Sequence, residues 1–387
     1  MYSQDEINSA IASGALSADA AEQLRAHVVQ IRERPVTDEE HFRLVSSFND
    51  IFVAIGAVIM LFAAGAIGQA LGRAIAPDPA FPGYDYVSDT AREVWFREDQ
   101  FSSGIAMAVG AALVACTAWA LSEFFTRKRR MALPSIILLL AFVGGVLATF
   151  LGISMALTSG MDDSSDRLGA LLGSVAALLA AGGAYLHWRR FAVPITVAAG
   201  AAAVAGTVVL LIAAAVGEDG PIDTGDLILV LVFLAGLAIF AFAMRWDISD
   251  RTRTTRRADV AFWLHLIAAP MIAHPVFYAL GVTRGDSIGV GAALGVVAVY
   301  VIFGLVALAV DRRALLVSAL AYVLFALTIL FDRFGAVELN VALTALVIGS
   351  ALLTLSAFWT PIRARVVAML PNGLQQKLPI SAVTIPT

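Results

Sequence analysis

Charged residues and cysteine are both scarce in this chain of 387 residues. Asp, Glu, Lys and Arg together make up 14% of the sequence, whereas 59% of it is hydrophobic. Soluble domains average about 25% charged residues, so the composition argues against an ordinary soluble fold. The single cysteine, Cys116, excludes an intrachain disulfide.

Common catalytic signatures are also missing from the sequence. It contains no HExxH, CxxC or GxSxG motif and no nucleotide-binding loop. A zinc site requires at least three protein ligands. His265 and His274 supply two, and His187 lies beside Arg189 and Arg190, where a cation is poorly placed. The sequence therefore predicts no metal and no cofactor, favours a protein that is not an enzyme, and lacks the basic, aromatic-interleaved patch of a nucleic-acid partner.

What the sequence does contain is a series of long apolar blocks. A membrane-spanning helix needs about 20 apolar residues, and its backbone groups must bond within the segment. The blocks predict an all-α integral membrane bundle of about ten transmembrane helices with a lipid bilayer as its surroundings. The predicted spans are 50–72, 102–122, 132–158, 167–186, 192–216, 225–244, 258–281, 287–309, 314–331 and 338–360.

The basic residues of the connecting loops predict the orientation. If ten spans alternate, 20 of the 26 Lys and Arg residues fall on the side that holds both termini, and the other six are Arg73, Arg92, Arg97, Arg167, Arg284 and Arg333. The positive-inside rule then places both termini in the cytoplasm. This charge bias suits a multi-pass protein of a bacterial inner membrane.

Three segments outside the spans carry further predictions. Residues 1–49 have the pattern of short cytoplasmic helices, with Gly14 ending one and Ser17 capping the next, and form a candidate docking site for a protein partner. In the outer loop 73–101, Ser88 is expected to cap a short helix that ends near Asp99. The tail 361–387 has little periodicity and is predicted to be disordered.

The seventh predicted span, 258–281, combines features that no other predicted span has. It holds His265 and His274 as well as two internal prolines, Pro270 and Pro275, which remove helical hydrogen bonds and suggest a hinge. At 1.5 Å per residue the histidines lie about 10 and 24 Å from its cytoplasmic end. Helical spacing groups Asp259 with Pro270 and His274 on one face, which we expect to point into the bundle. Trp263 belongs to the same face.

Ionisable residues within spans suggest a transport pathway, because charge in a bilayer is costly. Histidine changes its charge near physiological pH. Asp50, Glu123 and Asp259 lie at the predicted cytoplasmic ends of spans, so with His265 they could form a cytoplasmic half-site for protons or a cation. The alternative interpretation is a neutral histidine bonded to a neighbouring helix beside a static kink, with the acids stabilised by helix termini.

Three stretches resemble a known group of sequences. INSAIASGALSADAAEQLRAHV is similar to the helical segment that opens a family of uncharacterised bacterial polytopic membrane proteins. FRLVSSFNDIFVAIG and FWLHLIAAPMIAHPVFYALG resemble recurrent stretches of such proteins. The resemblance implies a membrane domain behind a short N-terminal helical segment, and it implies no activity.

Two functions remain open at this point. The first is a secondary transporter or permease for a small solute, possibly proton-coupled, in which the seventh span moves. The second is a non-transporting membrane sensor, scaffold or assembly factor that acts through its N-terminal helices. A search for inverted five-helix repeats, which many transporters contain, finds no counterpart of the proline-containing span.

Overall fold

The computed structural model describes residues 9–23, 48–81, 88–161, 166–217, 223–253, 255–282, 289–333 and 339–379. Every regular element in these ranges is helical, and they contain no strand. The described helices after residue 47 are α1 (Phe48–Ile75), α2 (Asp89–Ser122), α3 (Ala132–Thr158), α4 (Asp166–Phe191), α5 (Ile195–Val216), α6 (Thr224–Ser249), α7 (Arg256–Ala279), α8 (Val290–Val310), α9 (Ala314–Arg333), α10 (Asn340–Ala357), α11 (Trp359–Ala368) and α12 (Asn372–Gln375). A π-helical segment, Glu123–Lys128, continues α2.

The prediction of an all-helical, multi-pass membrane protein agrees with this architecture. Within the described residues, α1 to α8 are long and apolar enough to cross a membrane. The count becomes nine if α10 and α11, which meet at a bend of 78°, form one span. Helix α9 coincides with the predicted span 314–331 but is not among these eight. The prediction of ten spans and of two cytoplasmic termini is therefore not confirmed.

The helices pack in two consecutive groups. In the first group α2 packs between α1 and α3, and α3 continues onto α4 and α5. In the second group α7 packs against α6 and α9, while α8 contacts α9 and α11. Helix α5 joins the groups because it contacts both α6 and α7. The buried core is divided accordingly, with one cluster around Leu138 and Leu139 and others around Leu264 and Phe277.

Two predictions about the connecting segments need correction. Ser88 does cap a helix, since its side chain accepts a hydrogen bond from the Ala91 N–H. That helix does not end near Asp99, however, because α2 runs on to Ser122 without a break. The chain after residue 360 is also ordered as far as residue 379, with α11, α12 and a buried Arg363. Residues 380–387 lie outside the described part of the chain.

The N-terminal segment is described only at residues 9–23. Residues 9–12 are helical, Gly14 has a positive φ of 76°, and residues 18–23 form the next helical turn. Ser17 Oγ accepts a hydrogen bond from the Ala20 N–H. The predicted helix end at Gly14 and the predicted cap at Ser17 are thus confirmed. Ser3 with Glu6 and Thr37 with Glu40 also have the spacing of capping boxes, and they lie outside the described residues.

Glycines allow α1, α2 and α3 to approach closely. A Cβ atom added at Gly72 would lie 2.5 Å from Ala106 Cα, and one added at Gly152 would lie 2.6 Å from the Ala108 backbone nitrogen. Helices in a membrane associate through such small residues, because packing and not the hydrophobic effect holds them together. Gly68, one turn before Gly72, makes a contact of the same kind, whereas a Cβ at Gly169 would meet nothing within 4 Å.

We expect Gly72→Val to destabilise the protein, because its side chain would collide with the backbone of α2. Overpacking of this kind costs roughly 1–3 kcal/mol or more. Thermal unfolding in detergent would measure the loss. Gly169→Val makes the same change at an open helical position and should melt within a few degrees of wild type. Equal melting temperatures for both variants would contradict the close contact.

Candidate functional site

Helix α7 is the most deeply packed of the eight apolar helices. Threonine caps its start, because Thr255 Oγ1 accepts a hydrogen bond from the Arg257 N–H. Its buried face consists mainly of small side chains, including Ala261, Ala268 and Ala273, together with Leu264 and His265. Half of its most apolar stretch is buried, a larger share than in the other seven helices. Close approach of α6, α5 and α9 to this face explains why small residues line it.

This packing contradicts part of the predicted inward face of α7. Pro270 and His274 are exposed, Asp259 is partly buried, and Trp263 packs against two core clusters. The fully buried residues lie mainly on the other side, where His265 has no exposed surface. The expectation of an inward-facing His274 was therefore wrong, whereas His265 occupies the interior.

His265 belongs to a buried polar triad with Asp247 of α6 and Arg312 of the α8–α9 turn. His265 Nε2 lies 2.9 Å from Asp247 Oδ2. Arg312 donates from Nη2 to Asp247 Oδ1 at 2.6 Å and to the Ala258 carbonyl at 3.0 Å. The relative exposures of His265, Asp247 and Arg312 are 0%, 1% and 3%. We call these three residues the Asp247 triad.

The hydrogen bonds of the triad indicate a neutral His265. Asp247 is held as a carboxylate by the Arg312 guanidinium, so it can only accept, and His265 Nε2 must carry the proton. His265 Nδ1 is buried and has no hydrogen-bond partner among the described residues. An imidazolium would bury a second N–H with no acceptor, at a cost of about 1–3 kcal/mol. Protonation of His265 is therefore disfavoured while the site is closed.

A second cluster adjoins the triad around Asp311, which directly precedes Arg312. Asp311 accepts hydrogen bonds from Arg253 Nη1 at 2.9 Å and from Trp359 Nε1 at 2.7 Å. Arg363 Nε lies 3.5 Å from Asp311 Oδ1. We call Asp311, Arg253, Trp359 and Arg363 the Asp311 cluster. Burial lowers the pKa of Arg253, and the positive charge of the neighbouring Arg312 acts in the same direction.

Backbone strain accompanies these contacts. Arg253 and Asp311 both adopt the left-handed conformation, with φ of 54° and 60°. Residues with a Cβ rarely adopt this conformation, and they persist in it only where the surroundings hold them. Arg253 Nη2 donates to the carbonyls of Val310 and Asp311 at 3.1 and 3.0 Å. The side chain of one strained residue thus fixes the turn that contains the other.

The C-terminal segment covers the end of the second helix group at which α6 and α8 finish. Arg363 Nη2 donates to the Pro379 carbonyl at 2.8 Å, and Arg251 Nε donates to the Leu378 carbonyl at 2.9 Å. The Arg313 guanidinium stacks over the Trp359 ring with 4.9 Å to its centroid. Residues 359–379 are therefore fastened to the loops that carry both clusters.

His274 lies apart from these clusters. Its Nδ1 atom is 2.9 Å from the Tyr322 hydroxyl, and the Tyr322 ring stacks on Phe277 at 4.4 Å. This bond joins α7 to α9. Both prolines of α7 are contained in a continuous helix, with Pro270 exposed and Pro275 buried. The hinge at these prolines stays a prediction.

The acids of the predicted half-site have different partners. Asp259 follows Ala258, whose carbonyl accepts a hydrogen bond from Arg312, so it adjoins the Asp247 triad. Glu123 instead pairs with Arg190 at 2.6 Å and with Arg127 at 3.3 Å. Buried Asp50 lines a cleft of about 440 Å³ with the π-helical segment and residues 129–131. His265 thus belongs to the triad and Asp259 adjoins it, whereas Glu123 and Asp50 have other surroundings.

His187 also differs from its predicted position in a loop. It lies within α4, has no exposed surface, and contacts the rings of Trp119, Phe142 and Phe191. Its Nδ1 atom is 3.4 Å from Thr196 Oγ1. The helix extends past the predicted span end at residue 186, and this extension accounts for the difference. Within the described residues no three His, Cys, Asp or Glu side chains gather as a metal site would require.

Comparisons with protein-family models, with curated proteins and with solved structures give no match for this chain. The candidate site therefore has to be interpreted from its own geometry. Sequence reasoning selected His265 and Asp259 but did not select Asp247, Arg312, Asp311 or Arg253. One signal was present: Asp247 is an acid among basic residues, in the stretch MRWDISDR that follows a predicted span.

Proposed function

We propose that this chain is a secondary transporter or permease for a small solute, coupled to protons through His265. The supporting observation is the Asp247 triad, in which a titratable side chain is buried between α6, α7 and the α8–α9 turn of an apolar bundle. Ionisable side chains are expensive in a bilayer and are usually retained where ions or protons move. His274, the other histidine of the original prediction, is assigned no role in the proposal.

The proposed coupling follows from the hydrogen bonds of the triad. Neutral His265 fits the closed arrangement, because Nε2–H donates to Asp247 and Nδ1 needs no donor. Water entering from the end of α6 and α7 would give Nδ1 an acceptor for its proton. Protonation and opening would then favour each other, as linkage between two equilibria requires. Arg312 and the Asp311 cluster would form the gate, and their contacts would break when water enters the site.

Proton flux in proteoliposomes tests this proposal. Purified protein is reconstituted with a pH-sensitive dye inside, and amino acids, sugars and organic cations are added in turn. We expect one solute class to drive proton flux in wild type and His265→Gln to reduce it at least about tenfold, the effect of removing an acid–base group. His274→Gln is the matched control and should retain the wild-type flux. Equal flux in all three proteins would remove His265 from the mechanism.

A second candidate is a non-transporting membrane scaffold, sensor or assembly factor. It is favoured by the bonds that tie the site together: His265 and His274 are bonded to neighbouring helices, and residues 359–379 are hydrogen-bonded to the loops. Such an arrangement serves equally well as static support for a partner-binding surface. Absence of flux with every solute class, in a protein shown to be folded, would favour this candidate over transport.

A further inference from the structure

Basic residues gather where α2 and α4 end on the same side of the bundle. The ion pair between Glu123 and Arg190 joins the two helix ends, with contacts of 2.6 and 3.0 Å. The basic residues at these ends are Arg127, Lys128, Arg129, Arg130, Arg189 and Arg190. With Glu123 and the neighbouring Asp50 subtracted, six positive charges against two negative ones leave +4. We call this set the basic cluster.

An apolar groove runs along α2 and α3 from a point close to the basic cluster. Its volume is about 420 Å³. The lining residues are Ala112, Ala115, Cys116 and Trp119 of α2 and Phe142, Val146, Thr149 and Phe150 of α3. The polar member, Thr149, is already satisfied because its hydroxyl donates to the Gly145 carbonyl at 2.7 Å. The groove therefore offers mainly apolar surface, because the Thr149 hydroxyl has no proton left to donate.

The groove and the basic cluster share one side of the first helix group. Trp119 precedes Glu123 by four residues, about 6 Å along the helix. The Trp119 ring also contacts Phe191, the neighbour of Arg190, with 5.1 Å between centroids. Cys116 lies one turn further from the cluster and is exposed. Moving away from the charges, the surface thus changes from basic to apolar within a few helical turns.

We propose that this surface binds an anionic phospholipid, with its phosphate at the basic cluster and an acyl chain in the groove. A net charge of +4 favours an anionic headgroup over a zwitterionic one, because Lys and Arg side chains near a membrane surface attract anionic lipids. Arginine forks also match phosphate oxygens geometrically. A free phosphate ion would use only half of the surface, since the groove has no polar role for it.

Tryptophan quenching by brominated lipids tests the proposal. Full-length protein is reconstituted in phosphatidylcholine vesicles that contain either brominated phosphatidylglycerol or brominated phosphatidylcholine. The difference in quenching between wild type and Trp119→Phe gives the part that comes from Trp119 in the groove. We expect that component to appear at a roughly fivefold lower mole fraction of the anionic lipid, equivalent to about 1 kcal/mol. Equal sensitivity to both lipids, or no Trp119 component at all, would overturn the proposal.

Two variants test the headgroup site and the acyl-chain groove separately. Lys128→Gln/Arg129→Gln/Arg130→Gln removes exposed charges without touching the Glu123 ion pairs, and it should abolish the preference for phosphatidylglycerol. Arg245→Gln/Arg256→Gln/Arg257→Gln makes the same charge change at exposed positions of α6 and α7 and should keep the preference. Cys116→Phe fills the groove and should reduce quenching by both lipids. A preference that survives the first variant would refute the headgroup site.

Discussion

Asp247→Ala is expected to lower the free energy of unfolding by about 3–5 kcal/mol, the range measured when one partner of a buried ion pair is removed. Arg312 would lose its closest acceptor while remaining almost fully buried. His265 Nε2–H would also lose its acceptor, and no exposed surface would let water replace it. Unfolding in mixed micelles with increasing sodium dodecyl sulfate measures the change.

Removing all three polar side chains of the triad should have a smaller effect than removing Asp247 alone. In Asp247→Leu/His265→Leu/Arg312→Met no buried charge is left without a partner, and such apolar replacements are often neutral or stabilising. Glu93→Ala, at an exposed position of α2, is the control for losing an acid and should stay within about 0.5 kcal/mol of wild type. A triple variant as unstable as Asp247→Ala would show that uncompensated charge is not the cause.

The triple variant also connects stability to the proposed function. If the triad serves only as static support, the triple variant should fold and leave any activity of the protein unchanged. If His265 carries a proton, the same variant should be stable and inactive in the flux assay. Stability and flux measured together therefore distinguish the two roles of the triad. A structural role predicts that the triple variant keeps both, and a proton-carrying role predicts that it keeps its stability and loses its flux.

The apolar spans could be predicted because hydrophobic length alone determines them. The span 132–158 coincides with α3, since a run of basic residues precedes it, Pro134 lies in its first turn, and polar residues follow it. Helix ends were harder to predict, because a helix can continue as it leaves the apolar layer. Helix α6 ends at Ser249 although its predicted span ended at residue 244, and α4 likewise ends five residues beyond its predicted span.

That difference at the end of α6 explains why Asp247 was not predicted. A residue three positions beyond a predicted span is expected in water, where an acid among arginines needs no partner. Its partner Arg312 is 65 residues away, and no local pattern reports such a pairing. His265 could be selected from sequence because a histidine inside an apolar span is unusual, but its hydrogen-bond acceptor could not.

The orientation of α7 was wrongly predicted for a different reason. The prediction placed the polar and proline residues of one face towards the interior, as a charged pathway would require. Packing instead favours the face with the smallest side chains, since alanines such as Ala261 and Ala268 let neighbouring helices approach. His274 then lies on the outside, where the Tyr322 hydroxyl satisfies it.

Asp311→Ala is expected to release the C-terminal segment from the helix ends. The substitution removes the acceptor of Trp359 Nε1 and the partner of Arg253, and it leaves alanine at a φ of 60°. Hydrogen bonds to charged groups contribute about 1.5–3 kcal/mol each. The fraction of molecules in which residues 359–379 have detached from the loops should therefore rise at least roughly tenfold. Trypsin cleavage after Arg365 and Lys377, followed by mass spectrometry, measures that population when opening is fast relative to cleavage.

Two further substitutions at the same position separate the carboxylate from the backbone. Glycine adopts a positive φ without strain, so Asp311→Gly loses only the side-chain contacts and should be cleaved somewhat more slowly than Asp311→Ala. Asparagine tolerates the left-handed conformation and keeps an acceptor for Trp359 while losing the charge that faces Arg253. Cleavage should therefore rank Ala above Gly, Gly above Asn, and Asn above wild type. If all three variants are cleaved at the wild-type rate, Asp311 does not hold the segment, and the hydrogen bonds from Arg251 and Arg363 to the chain end suffice.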